Sequence, residues 1–261
     1  MTLLDSLAAA FDFLGYTGIV RALIVGLVLF GLWRGLVRAG LSRSERVATW
    51  LAVAIPLLAW FALIWQLALA GVIQARAGAL PLLPVAIFAP LVIGLPLMLR
   101  SQRIAAALDA LPASWLVGLQ VYRVFGGAFL VQLALGRLSA AFAVPAGVGD
   151  ILVGVLALPA AFYLNRDSGR GRPFAVAWNL LGILDLIVAI TMGFLSSTGR
   201  LQALGLGSGA GPLAYPLVMI PAFAVPLSLI LHGVSLWQLK RRSSSAAARS
   251  VATAAVAGGA A

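Results

Sequence analysis

The chain has 261 residues, 62% of them hydrophobic and only 10% charged, with a mean hydropathy of +1.08. A water-soluble domain usually carries about a quarter charged residues, so this composition points to the bilayer as solvent. The absence of Cys excludes disulfides, thiolate metal sites and thiol nucleophiles, the single His excludes a multi-His metal or bis-His haem centre, and the net charge of +11 marks membrane-flanking loops rather than a nucleic-acid partner.

Residues 1–16, MTLLDSLAAAFDFLGY, contain two acids and no basic leader, unlike a cleaved signal. Leu3, Leu4, Leu7, Phe11 and Leu14 share one helical face, and Asp5 and Asp12 share another. The stretch reads as an amphipathic segment in the interface, or as a plain lead-in to the first span. Seven apolar segments then reach the roughly 20 residues needed to cross a bilayer as helix. They are 17–37, 47–73, 80–100, 115–136, 145–164, 174–195 and 216–239. The expected fold is therefore all-α: a polytopic membrane protein with a seven-helix transmembrane domain over 17–239. The third span carries Pro81, Pro84, Pro90 and Pro96, which predicts a bent helix packed on neighbours. The last span holds Pro216, Pro221 and Pro226 and is expected to break similarly.

Direction follows from the basic residues. Arg34, Arg38, Arg43 and Arg46 follow the first span, Arg100 and Arg103 the third, and Arg166, Arg170 and Arg172 the fifth. Lys240, Arg241, Arg242 and Arg249 follow the last. These alternate regions hold thirteen of the 18 basic residues, against one each (Arg76, Arg137, Arg200) on the other side. The positive-inside rule then puts the N-terminus outside and the C-terminus in the cytoplasm, which seven spans satisfy. Trp33, Trp50, Trp115 and Trp237 fall near the expected interfaces. The glycine-rich loop 196–215 reads as a flexible connector, with a lid as the alternative; it lacks the Gly-Lys-Ser/Thr ending of a P-loop. Residues 240–261 read as a basic and then low-complexity, disordered tail.

Charges inside a span cost on the order of 2.5–3.5 kcal/mol each on insertion scales, so those that persist pair inward or act. Three lie away from the span ends: Arg123, Asp150 and Asp185, accompanied by Gln66, Gln120, Gln132, Asn179, Thr191 and His232. At ~1.5 Å per residue, Arg123 lies ~12 Å and Asp185 ~16 Å above the cytoplasmic end, and Asp150 ~8 Å below the outer end. An Arg123–Asp185 clamp is therefore expected, with Asp150 reached by Gln132 or Arg137, or held near its helix N-terminus by free N–H groups. As α-helix, the fourth span puts Gln120, Arg123 and Gly127 on one face, and the sixth puts Asn179, Gly182, Asp185 and Ala189 on one face. His232 is a candidate proton shuttle or axial ligand, or else an ordinary bonded core histidine. A retinal protein is disfavoured because the only lysine, Lys240, lies at the membrane edge. The Gly31-x3-Gly35 pair permits a close helix contact.

Two stretches, LPASWLVGLQVYRVFGGAFLVQLALG and FAVPAGVGDILVGVLA, within residues 111–157, resemble an uncharacterised family of bacterial multi-pass membrane proteins. Gln120, Arg123, Gly147, Asp150 and Gly154 carry the resemblance, which implies an inner-membrane location. Relatives place an acid one turn after the arginine; here Gly126 and Gly127 stand there. Two function classes follow from the residues. One is a small-solute or proton-linked transporter using Arg123, Asp150 and Asp185. The other is a non-catalytic accessory subunit of a membrane complex, holding a pigment, quinone or lipid. An enzyme's signatures (HExxH, Ser–His spacing, Cys) are missing, which leaves only a carboxylate mechanism open. No cofactor is specified.

Overall fold

The computed structural model describes residues 18–73, 82–166, 168–197, 200–203 and 215–258, with 3, 5–7, 9 and 10. Most of the N-terminal amphipathic segment and of the glycine-rich loop lies outside the described residues. Helix α1 (Ile19–Arg38) starts beyond Gly18, whose φ of 66° suits glycine and whose bare Cα receives the Trp65 ring. Helix α2 (Arg43–Leu69) begins with a capping box: Glu45 N–H donates to Ser42 Oγ, and Ser42 N–H donates to Glu45 Oε2 at 3.1 Å. Helix α3 (Leu82–Arg100) holds Pro90 and Pro96 without losing continuity. Ala86 and Ile87 are its only fully buried residues, so it packs on its neighbours less than its prolines suggest.

Ser101 caps a short amphipathic helix, α4 (Gln102–Ala110), by accepting from Ile104 N–H. Its buried face is Ile104, Ala105, Ala107 and Leu108. The fourth span is not one regular helix. It runs as α5 (Ser114–Leu119), a 3₁₀ stretch (Gln120–Gly127) and α6 (Ala128–Ala134). Helix α7 (Ala140–Arg166) and helix α8 (Ser168–Ser197) follow, then the single turn α9 (Arg200–Ala203). The last span opens with a π-helical turn, Ile220–Ala224, around Pro221, and continues as α10 (Val225–Gly258). The break expected near those prolines is present as this turn. Helix α10 runs on through the alanine-rich segment to Gly258, in keeping with alanine being the strongest helix former.

Among the described residues, seven helical spans are long and apolar enough to cross a membrane, matching the expected segments to within a few residues at most ends. Burial is unequal: 56% of the last span is buried, against 17% of α2 and 11% of α3. The last span is therefore the hub, with α2 and α3 on the rim. One core cluster joins α1 to α4 with α10, through residues such as Leu29, Ile64 and Phe223. A second joins α5, α7, α8 and α10 around Val117, Val153 and Trp178. The Gly31 and Gly35 pair is used inside the chain: the Trp115 ring packs on Gly31, and the Ala107 carbonyl of α4 packs on Gly35.

On the arginine-rich face α4 is strapped in place from two sides. Arg103 pairs with Glu45 of α2 at 3.5 Å. Arg241 of α10 grips Asp109 at 2.6 Å, and buried Gln238 donates to the Leu108 and Leu111 carbonyls. Those carbonyls lie at the C-terminal end of α4, where Leu108 also accepts from Leu111 N–H and Leu111 from Arg242.

Candidate functional site

The 3₁₀ stretch builds the site. Three residues per turn, rather than 3.6, stack positions three apart on one face. Gln120, Arg123 and Gly126 are accordingly its buried residues, so Gly126 replaces the Gly127 of the α-helical expectation. Gly154 of α7 lies against the Val124 nitrogen and the Arg123 carbonyl carbon, with no room for a Cβ. This contact seats the stretch directly on α7.

Arg123 is 3% exposed and engages both aspartates. Its Nε donates to Asp150 Oδ1 at 2.7 Å, and Nη2 pairs with the same oxygen at 2.6 Å. Nη2 also donates to Asp185 Oδ2, while Nη1 donates to the Gly182 carbonyl at 3.2 Å. The expected Arg123–Asp185 clamp is therefore present, and Asp150 joins it. The expectation that Asp150 sits near its helix start, beside Gln132 or Arg137, is corrected. Helix α7 begins at Ala140, so Asp150 lies ~15 Å in, and the 3₁₀ rise of ~2.0 Å per residue lifts Arg123 towards it. Gln132, also buried, instead accepts from Arg137 Nη1 at 3.2 Å.

Glycines make the approach possible. A Cβ on Gly126 would overlap the Asp150 side chain, and one on Gly149 would overlap the Asp185 carboxylate. A Cβ on Gly182 would strike the His232 ring. Four helical elements thus converge with no bulk between their functional groups.

Around the guanidinium runs a neutral polar chain. Asn179 Nδ2 donates to the Ala175 carbonyl at 2.8 Å and to Ser235 Oγ at 3.1 Å. Those bonds turn its Oδ1 to His232 Nδ1, 2.9 Å away, so Nδ1 carries the hydrogen. His232 Nε2 then offers its lone pair to Arg123 Nη1 at 3.3 Å. Both ring nitrogens are thus engaged by protein groups. Trp178 packs against the imidazole at a 50° tilt with centroids 5.0 Å apart, and its Nε1 donates to the Val153 carbonyl. Gln120 joins from the next turn, donating to the Ser228 carbonyl at 3.1 Å, while its buried Oε1 has no protein partner.

Sequence reading missed Tyr122, which shares a hydrogen bond with Ser228 Oγ, and it missed Ser235. A signal was available: Ser228, His232 and Ser235 are spaced four and three apart, one helical face. A cavity of about 110 Å³ abuts the cluster and is lined by Arg123, Asp150, Tyr122, Ser228, Gln132 and residues of the π turn. Asp185 does not line it. The lining includes the first residues of α1 and of the last span, so the cavity lies towards the N-terminal face, away from the α4 strap. No cluster of three His, Asp or Glu suited to a metal occurs among the described residues.

A helical bundle with seven membrane-length apolar spans around a buried arginine and two aspartates defines the class: a polytopic membrane protein with an intramembrane charge cluster. Residues 80–240 match the family model described as Domain of unknown function (DUF8737), and the chain belongs to that family. The matched region contains every member of the cluster and begins after α2, so the earlier sequence resemblance over 111–157 falls inside it. No curated protein and no solved structure matches the chain.

Proposed function

We propose that the chain is a proton-linked or small-solute transporter of the bacterial inner membrane, with its N-terminus outside and its C-terminus in the cytoplasm. The observation that carries this reading is the buried charge balance. One guanidinium faces two carboxylates, so the three ionised groups sum to one negative charge where unbalanced charge is costly. A proton or a monovalent cation is the natural complement. Asp150 lines the cavity and Asp185 does not, which makes Asp150 the first acceptor. A proton reaching Asp150 weakens its hold on Arg123 and leaves the guanidinium on Asp185, Gly182 and His232. Release of that proton towards the opposite face restores both pairs. The 3₁₀ stretch carries Arg123 and the π turn lines the adjoining cavity, and such irregular turns are common hinge elements.

Proteoliposome flux tests the reading. Wild type is expected to move protons or a small solute, and Asp150→Asn and Asp185→Asn to lose that movement. Identical fluxes in all three remove the proposal. The direction is tested separately, since the chain has no native Cys. A cysteine at Thr198→Cys is expected to react with an impermeant reagent from outside, and one at Arg172→Cys only from inside. A second reading, an accessory subunit that holds a lipid, draws support from a large apolar groove beside α1. Recovery of a stable multi-subunit complex from native membranes distinguishes it.

A further inference from the structure

The groove encloses about 710 Å³; Arg123, Asp150 and Asp185 do not line it, and it adjoins their cavity through Val20, Ile24, Tyr122 and Phe125. Its walls are α1, with Ile19, Leu23 and Leu27 at one residue per turn, the fourth span with Trp115 and Phe125, and α7 with Phe162. From Ile19 to Gly31, where Trp115 packs, α1 runs ~18 Å, against ~15 Å for one leaflet's hydrocarbon. The walls are apolar over that length, and the polar groups gather at one end. There Ser114 Oγ donates to Asn165 Oδ1 at 3.5 Å, and both residues line the groove.

Two arginines stand on the rings that frame this end. Arg166 lies over Phe162, 4.7 Å from the ring centroid. Arg34 lies over Phe30 at 6.0 Å, and Phe30 packs on Trp115 with centroids 6.1 Å apart. Stacking on an aromatic face orients a guanidinium while leaving its N–H groups free to bind a phosphate. Both arginines are exposed, and neither is paired with an acid among the described residues. A second copy of this chain would bring its own basic face to the same spot, where like charges repel. An anionic headgroup is the complementary occupant, and basic pockets between helix ends on the arginine-rich side are suited to one.

We infer that this groove is a binding site for a phospholipid with an anionic headgroup, one acyl chain lying along α1 and the phosphate seated by Arg34 and Arg166 above Ser114 and Asn165. The site does not depend on the transport reading.

Native mass spectrometry of the full chain tests it, with phosphatidylglycerol and phosphatidylcholine of identical acyl chains as probes. Wild type is expected to retain phosphatidylglycerol on the order of tenfold better, given two arginines at the headgroup. The double variant Arg34→Gln, Arg166→Gln is expected to lose that preference and keep the weaker retention common to both lipids. Gly118→Phe is expected to abolish the specific retention of both. Gly118 lines the groove, and its Cβ direction meets only Ala161 at 3.8 Å, so a ring there extends into the groove rather than into the fold. Equal retention of the two lipids by wild type overturns the inference. So does an undiminished preference in the double variant, or retention that survives Gly118→Phe. A two-chain species that phosphatidylglycerol does not displace assigns the groove to a second copy and overturns it as well.

Discussion

Replacing Arg123 with Gln removes one positive charge from between two buried carboxylates whose side chains are 12% and 10% exposed. Breaking a buried pair by deleting one partner costs about 3–5 kcal/mol, because the other partner stays charged and desolvated. At 2–4 °C per kcal/mol for a chain of this size, the expected drop in Tm is roughly 6–20 °C. The decisive comparison is the triple variant Arg123→Gln, Asp150→Asn, Asp185→Asn. It holds no charge at the cluster, and matched neutral groups in place of a buried ionic set are often close to neutral in stability. It is expected to recover most of the loss, despite carrying three changes instead of one. Thermal unfolding in mild detergent, followed by tryptophan fluorescence, is a suitable assay, since Trp178 is fully buried against His232. A single variant that melts within a few degrees of wild type refutes the reasoning. A triple variant as unstable as the single one shows that packing, not charge, holds the cluster together.

Gly126→Ala is expected to destabilise by about 1–3 kcal/mol, since its methyl overlaps the Asp150 side chain, whereas Gly26→Ala, with no atom within 4 Å of its Cβ, is expected to be neutral or stabilising in the same melt. His232 is the only histidine, so ¹⁵N NMR of selectively labelled protein reads its tautomer directly; the Nδ1–H form is expected in wild type, and a mixture in Asn179→Ala. Gln238→Ala is expected to cost about 1–3 kcal/mol by removing two buried hydrogen bonds to the Leu108 and Leu111 carbonyls, and Asp109→Asn no more than about 1 kcal/mol, because that ion pair is well exposed; equal losses on unfolding refute this ranking.

Spans were legible because hydrocarbon imposes length and apolarity on every segment at once. The clamp between Arg123 and Asp185 was legible from counting rise along two helices running the same way. Asp150 was placed too shallow for a definite reason. Pro145 resembles a helix start, yet α7 begins at Ala140, and the mark of that boundary is the single Ser139 ahead of the apolar run AAFAV. The 3₁₀ stretch was equally hidden: it arises where Gly154 presses against the backbone of Arg123 and Val124, a contact made by residues thirty positions away. Gly149 and Gly182 look like ordinary helix glycines until the opposing carboxylate and imidazole are in place. The polar face of α10 was readable at Ser228, His232 and Ser235, but an eye drawn to the lone histidine passes over the serines.

The two-sided fastening of α4 makes the two ends of the bundle unequal in stiffness. Helix α4 touches α1 at Gly35, is tied to α2 through Glu45, and is bolted to α10 through Gln238 and Arg241. Three separate columns therefore share one crossbar at the arginine-rich end. Parting the columns there means undoing two ion pairs and withdrawing a buried amide from two carbonyls in the same event. At the other end the columns meet a π turn and an existing hollow.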